Sequence, residues 1–289
     1  MNIFYEKYLK YKSKYLNYKN LIGGQLINIE NIKELTKKIA IPRPIESENL
    51  KFVKETIISK LKELELETYE DKFSELIRNK TYNFSNIVSL NSKATSQYIL
   101  LAAHIDSLYN NNTFQGAIDS AVSISIIIEI ARNLLKKNKN YPIMIVFFDG
   151  EEAINGLWSK DNTLIGSRYF VNNFDLSKIK QLYLLDLIGG DMTNKFSAFN
   201  NNLLSLKQIQ RLYEINKKYK EKLFLPPSLL VQSKVIQDDH IHFKDKNIDY
   251  LHLIPTPFPI QHHKTTDTFD NLNWIHIETF SKILYEYLE

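Results

Sequence analysis

The chain has 289 residues, 44% hydrophobic and 24% charged, which suits one globular domain with a sizeable core, or two small ones. Its net charge of +4, from 37 basic and 33 acidic residues, is too mild to argue for a nucleic-acid partner. Cysteine is absent and no apolar run has the length of a bilayer span or the look of a signal peptide; disulfides, thiolate metal sites and a transmembrane anchor are excluded, and a reducing location fits.

Residues 1–24, with "YEKYLKYKSKYLNYKNLIGG", predict a basic amphipathic leader helix ending at Gly23 and Gly24. Such a helix suits a membrane surface or a partner, or simply a solvated helix lying on the domain. Residues 25–289 read as a single catalytic domain. A helix before Pro42 and Pro44 stops at those prolines. "ESENLKFVKETIISKLKELELETYEDKF" carries Leu50, Val53, Ile57, Ile58 and Leu61 at helical spacing and predicts a surface helix. "NFSNIVSLNS" and "SQYILLAAHIDS" predict strands, and "GAIDSAVSISIIIEIARNLL" a helix from about Asp119. "YPIMIVFFDG" and "KQLYLLDLIGG" are apolar enough for strands buried between two helical layers. "SKDNTLIGSRYFVNN" runs from a loop into a short helix. The stretch 191–230 reads as polar and helical, apart from "LFLPPSLL", an exposed loop or edge. "DYLHLIPTPFP" is a strand running into proline-braked loops. The last helix has Ile275, Ile277, Phe280, Ile283 and Leu284 on its apolar face. Alternating strands and helices predict an α/β fold, a central mixed, largely parallel sheet flanked by helices. No internal repeat, domain linker or Gly-rich phosphate loop interrupts it.

Ligands of open α/β sheets sit beyond the carboxyl ends of the strands. Several such ends here carry ionisable residues: His104 and Asp106, the pair Glu151 and Glu152, and Asp186. Asp119 opens the helix after the first loop, "IQDDHIHF" adds Asp238, Asp239 and His240, and "QHHKTTD" adds His262 and His263. So many carboxylates in a dry pocket need compensating positive charge. A divalent cation supplies it. Without cysteine, zinc must be held by imidazole and carboxylate, and one His with two acids leaves an open, catalytic position. The adjacent glutamates then divide the work, one binding metal and the other moving protons. The competing reading is a scatter of polar surface residues, since a lone Glu-Glu pair also suits a solvated turn. His242 and His276 read as ordinary core or surface histidines.

From roughly Asn49 to the C-terminus the chain resembles the animal glutaminyl-peptide cyclotransferases, zinc enzymes on the zinc aminopeptidase fold. The stretches that carry the resemblance are "LAAHIDS", "GAIDSAVS", "FFDGEEA", "DNTLIGSRY", "LLDLIGG", "QDDHIHF" and "LHLIPTPFPIQHH". The resemblance implies one zinc ion per chain, held by Asp119, Glu152 and His263. It implies Glu151 as the acid/base, with Asp186 and Asp238 as buried acids beside it. Gln237 falls on the substrate side, Phe258 and Trp158 line the pocket, and His252 and His104 stand one layer behind. The implied reaction turns an N-terminal glutamine of a peptide or protein into pyroglutamate and ammonia. Two positions depart from the family: His262 stands where the family has a tryptophan, and the loop "INGLWS" carries one extra residue before Trp158. The family's disulfide and secretory signal are also missing. The leader resembles the Tyr/Lys/Leu-rich starts of proteins from giant viruses of amoebae. That implies a viral protein in the host cytoplasm or the virion. The modest net charge permits the monomer that is expected.

Two other functions stay open on the residues alone. A two-metal aminopeptidase would use His104, Asp119 as bridge and Asp186. A catalytically inactive peptide-binding homologue would keep the fold, with His262 and the longer loop in its favour.

Overall fold

A computed structural model describes residues 27–109, 111–196, 205–226, 236–244 and 246–289. The leader, 1–24, lies outside these. Six strands form one sheet: β1 (Glu67–Ile77), β2 (Lys80–Leu90), β3 (Tyr98–His104), β4 (Ile143–Phe148), β5 (Ile179–Leu185) and β6 (Asp249–Leu253). Their order across the sheet is β1-β2-β4-β3-β5-β6. The four strands β4, β3, β5 and β6 run parallel, while β2 pairs antiparallel with β1 and with β4. This is the mixed, largely parallel sheet expected. The helices are α1 (Ile29–Ile39), α2 (Glu48–Lys62), α3 (Val122–Lys137), α4 (Ile165–Asn173), α5 (Ser205–Asn216) and α6 (Trp274–Leu288). No helix among the described residues is long and apolar enough to cross a membrane.

The central strands are apolar on both faces because both faces are covered. Along β4, Ile143, Ile145 and Phe147 enter the core that also takes residues of α1, α2, α3, α5 and α6. Met144, Val146 and Phe148 point the other way, against Phe170 and Val171 of α4 and Phe243. The period of two that separates them is the strand's own geometry.

Four expectations are corrected. The stretch after α2 is not helical: "ETYEDKFSELI" is β1, an edge strand paired to β2 along its whole length. Its mostly charged and polar residues conceal it as a strand and protect it as an edge. The hairpin closes through Arg78 and Asn79, both with positive φ (48° and 66°), as a two-residue turn of the primed type requires. Secondly, α3 begins at Val122, and Asp119 lies in a tight turn outside helical geometry. Thirdly, Leu223 and Phe224 of "LFLPPSLL" are buried, with Phe224 stacked on Phe196 at 5.0 Å; residues 227–230 lie outside the described residues. Lastly, Ile275 is 65% exposed and takes no part in the core face of α6. The helical reading of 191–230 is met only over 205–216, by α5; 191–195 and 217–222 are turns and irregular chain, and Phe196 bridges to Phe224.

Candidate active site

Because β3, β4, β5 and β6 are parallel, their carboxyl ends open on one edge of the sheet, and the acidic loops meet there. Glu151 and Glu152 follow β4 after Gly150. That glycine has φ +70°, and a Cβ on it would lie 2.6 Å from the Phe84 ring. The loop is held from beneath by Asp106, whose two oxygens accept from the backbone N–H of Glu151 and of Glu152, each at 3.1 Å. Behind it, Lys54 of α2 pairs with buried Asp149 at 2.6 Å. Asp119 sits before α3, Asp186 directly after β5, and His263 in the loop after β6 with φ +57°.

The two adjacent glutamates face different ways. Glu151 lines a cavity of about 560 Å³ together with Asp119, Asp186, Asp238, Trp158, Gln237, Phe258, His262 and His263. Glu152 is buried behind that wall. Its Oε2 lies 3.5 Å from His263 Nε2, and Asp119 Oδ2 lies 3.6 Å from the same nitrogen. Two ligands of a tetrahedral zinc, each at about 2.0–2.1 Å, sit about 3.3 Å apart. Both spacings to the His263 nitrogen are close to that value, and the ligand atoms that all lie within 4.8 Å of one another at this place are those of Asp119, His262 and His263. Glu152 Oε1 is buried with no hydrogen-bond partner, an expensive state that a cation relieves. His263 is 40% exposed, so the position opens to the cavity. Two carboxylates and an imidazole, from Asp119, Glu152 and His263, are donors of the chemical kind zinc takes, and His262 offers a further nitrogen beside them.

The electrostatics point the same way. Burial pushes Glu151 and Glu152 well above the carboxylate range; repulsion from Asp238 and Asp239 adds to the first, and from Asp119 to the second, while His104 opposes both. Burial and Asp238 push Asp186 up to about 6. Asp119 goes the other way, to about 2, because the His104 contact outweighs its burial. Burial would strip the charge from His104, yet Asp106, Asp119 and Asp186 around it raise its pKa well above the usual value.

His104 donates from Nε2 to Asp119 Oδ1 at 2.8 Å and is buried. This is hydrogen-bond contact, shorter than the spacing of two ligands on one ion. On the far side, His252 Nε2 donates to Asp238 Oδ2 at 2.6 Å, and the His240 ring stacks on His252 at 4.2 Å. The anticipated pocket residues are brought together. Trp158 donates from Nε1 to Gln237 Oε1 at 3.3 Å, so the extra loop residue has not removed it from the cavity. His262 packs edge-on to Phe258 at 5.0 Å and against His263 at 3.8 Å. It also puts a nitrogen within 4.8 Å of ligand atoms of Asp119 and His263. His276 is a core histidine, accepting from the Met192 N–H at 3.0 Å. Sequence reading gave no role to Asp106, Arg43 or Asp267. All three act on backbone groups, and only Asp106, beside His104 at a strand end, carried a positional signal.

Residues 86–288 match the pattern of Peptidase family M28. The glutaminyl-peptide cyclotransferase of Dictyostelium discoideum is 33% identical, over 89% of this chain and 83% of its own. The chain belongs to the glutaminyl-peptide cyclotransferase family, within Peptidase family M28. The cyclotransferase of Drosophila melanogaster is 29% identical, over 94% of this chain and 82% of its own. Among solved structures, Macrostomum lignano glutaminyl cyclase superposes with a TM-score of 0.81 at 26% identity, covering 91% of this chain and 88% of that one. A Zn-dependent exopeptidase from Parabacteroides distasonis shares the fold, with a TM-score of 0.75 at 19% identity, over 91% of this chain and 98% of its own.

Proposed function

We propose that this chain converts the N-terminal glutamine of peptides or proteins to pyroglutamate with release of ammonia, using one zinc ion held by Asp119, Glu152 and His263. The observation that carries the reading is the division of the adjacent glutamates. Glu152 is turned to His263, while Glu151 faces the cavity. The family relationship supports the reaction class.

A bound zinc supplies Lewis-acid polarisation of the glutamine γ-carbonyl. The rest is done by the chain's own residues. The cavity holds the α-amine and the side-chain carboxamide carbon of one substrate residue together, so ring closure exploits proximity. The amine nitrogen forms the new C–N bond and Glu151 takes the proton it sheds. Glu151 then returns that proton to the departing amide nitrogen, the old C–N bond breaks, and ammonia leaves. No water is consumed and no net proton is exchanged. Burial and acidic neighbours hold Glu151 above the carboxylate range, which suits a group that must both take and give a proton near neutrality. Asp186 and Asp238 share that acidic environment, and the charge of Asp238, whose pKa His252 holds low against burial, raises both Glu151 and Asp186. Trp158, Gln237, Phe258 and His262 form the walls that orient the substrate.

Ammonia release from a Gln-peptide, with and without a chelator, tests this. Chelator-sensitive release is expected, and no release from any Gln-peptide by zinc-loaded protein would point to an inactive binding homologue. A two-ion aminopeptidase has one observation behind it: His104, Asp119 and Asp186 each offer an atom within 4.8 Å of the others. Two zinc ions and free leucine from a Leu-peptide would support it over the cyclase.

A further inference from the structure

Arg43 stands between α1 and α2 and is completely buried. Its guanidinium has five N–H donors in a rigid fork, and every one goes to a backbone carbonyl. Nε donates to Ile105 at 2.8 Å, and Nη1 to Gln115 at 2.7 Å and Ile41 at 3.3 Å. Nη2 donates to Gly116 at 3.1 Å and Asp119 at 3.3 Å. No donor goes to a carboxylate, although Asp119, Asp106, Asp267 and Glu152 lie close enough to act on its charge. A simple counter-ion for those acids would be expected to pair with one of them. This residue instead grips the backbone of the loop that carries Asp119.

The same loop is gripped from the opposite side. Asp267, also buried, accepts from the N–H of Ile118 at 2.7 Å and of Asp119 at 3.2 Å. Asp119 itself has φ −115° and ψ 76°, outside the helix that follows, so the helical ladder does not aim it. The turn is also tightly packed: a Cβ on Gly116 would lie 2.3 Å from the Asp119 carbonyl oxygen and 3.1 Å from Arg43 Nη1.

We propose that Arg43 and Asp267 are positioning residues for the cation site. They clamp the backbone of Asp119 from its carbonyl and N–H sides, and Arg43 acts through the geometry of its fork rather than through its charge. The inference rests on Asp119 being a zinc ligand, as read above. A lysine keeps the charge but has three donors on one nitrogen, which cannot reach five carbonyls.

The test uses the full chain. Zinc affinity is measured by competition with a chromogenic chelator, and ligand geometry by the visible bands of the cobalt-substituted protein. Arg43→Lys and Arg43→Gln are both expected to weaken zinc binding by roughly 10- to 100-fold and to shift the cobalt bands. Asp267→Asn should weaken it about tenfold. Wild-type affinity in Arg43→Lys with loss in Arg43→Gln would overturn the fork argument in favour of charge. Lowered melting temperatures with unchanged affinity and unchanged bands would make both residues mere struts and overturn the clamp. If the Arg43 variants do not fold, Asp267→Asn decides by the same two readouts. Failure of the unsubstituted protein to bind zinc would overturn the cation reading itself, and the clamp with it. Equal binding by all proteins would overturn the clamp alone.

Discussion

Two clusters at the same edge of the sheet are built from the same residue types and are in different states. In one, Asp119, Glu152 and His263 stand 3.5 and 3.6 Å apart across the imidazole nitrogen, and a buried glutamate oxygen has no partner. In the other, Asp238 and His252 are closed on each other at 2.6 Å, and His240 is stacked on top. Acids and imidazoles are common to both. What separates a ligand set from a hydrogen-bonded set is whether the ring nitrogen already holds a carboxylate. In the first cluster two carboxylates approach the ring nitrogen without closing a hydrogen bond on it. In the second, the Asp238 carboxylate is already taken by His252, and Asp238 lines the cavity beside Glu151.

The sharpest way to break this contrast is to remove a ligand. Glu152→Gln or His263→Ala is expected to abolish stoichiometric zinc, read as metal content after gel filtration, and to reduce ammonia release to background. If either retains full zinc, the first cluster is not the metal site. Next in size is Glu151→Gln. It should keep its zinc and lose roughly 10²- to 10⁴-fold in kcat, with KM little changed, as steady-state kinetics would report. A rate near wild type would remove Glu151 from the proton path. The second cluster should answer differently. His252→Ala leaves the buried Asp238 carboxylate unpaired, so a stability loss of about 3–5 kcal/mol in urea unfolding is expected, with zinc affinity unchanged. Loss of zinc there would erase the distinction between the clusters. The smallest effect belongs to the cavity wall. Gln237→Leu removes the partner of the Trp158 N–H and should raise KM roughly fivefold at constant kcat.

The architecture was legible because buried parallel strands need unbroken apolar runs, and "YPIMIVFFDG" and "KQLYLLDLIGG" have them. The edge strand β1 was not, because a strand exposed along most of its length carries no apolar run. Asp119 was placed too early in a helix, since the amphipathic pattern of α3 runs on smoothly into the turn before it. The acids and histidines of the site were visible as ionisable residues just past strand ends, and the roles proposed for them come from the family resemblance. The residues that aim them were hidden for a physical reason. Arg43 and Asp267 bind main-chain atoms, and those partners are set by loop conformation, which leaves no spacing between side chains to detect.

An anomalous difference map from crystals of the zinc-loaded protein tests the central claim most directly. One peak per chain is predicted, bounded by Asp119 Oδ2, Glu152 Oε2 and His263 Nε2, with the Glu151 carboxylate free on the cavity side. A second peak between His104 and Asp186, or a sole peak beside Asp238 and His252, would contradict it.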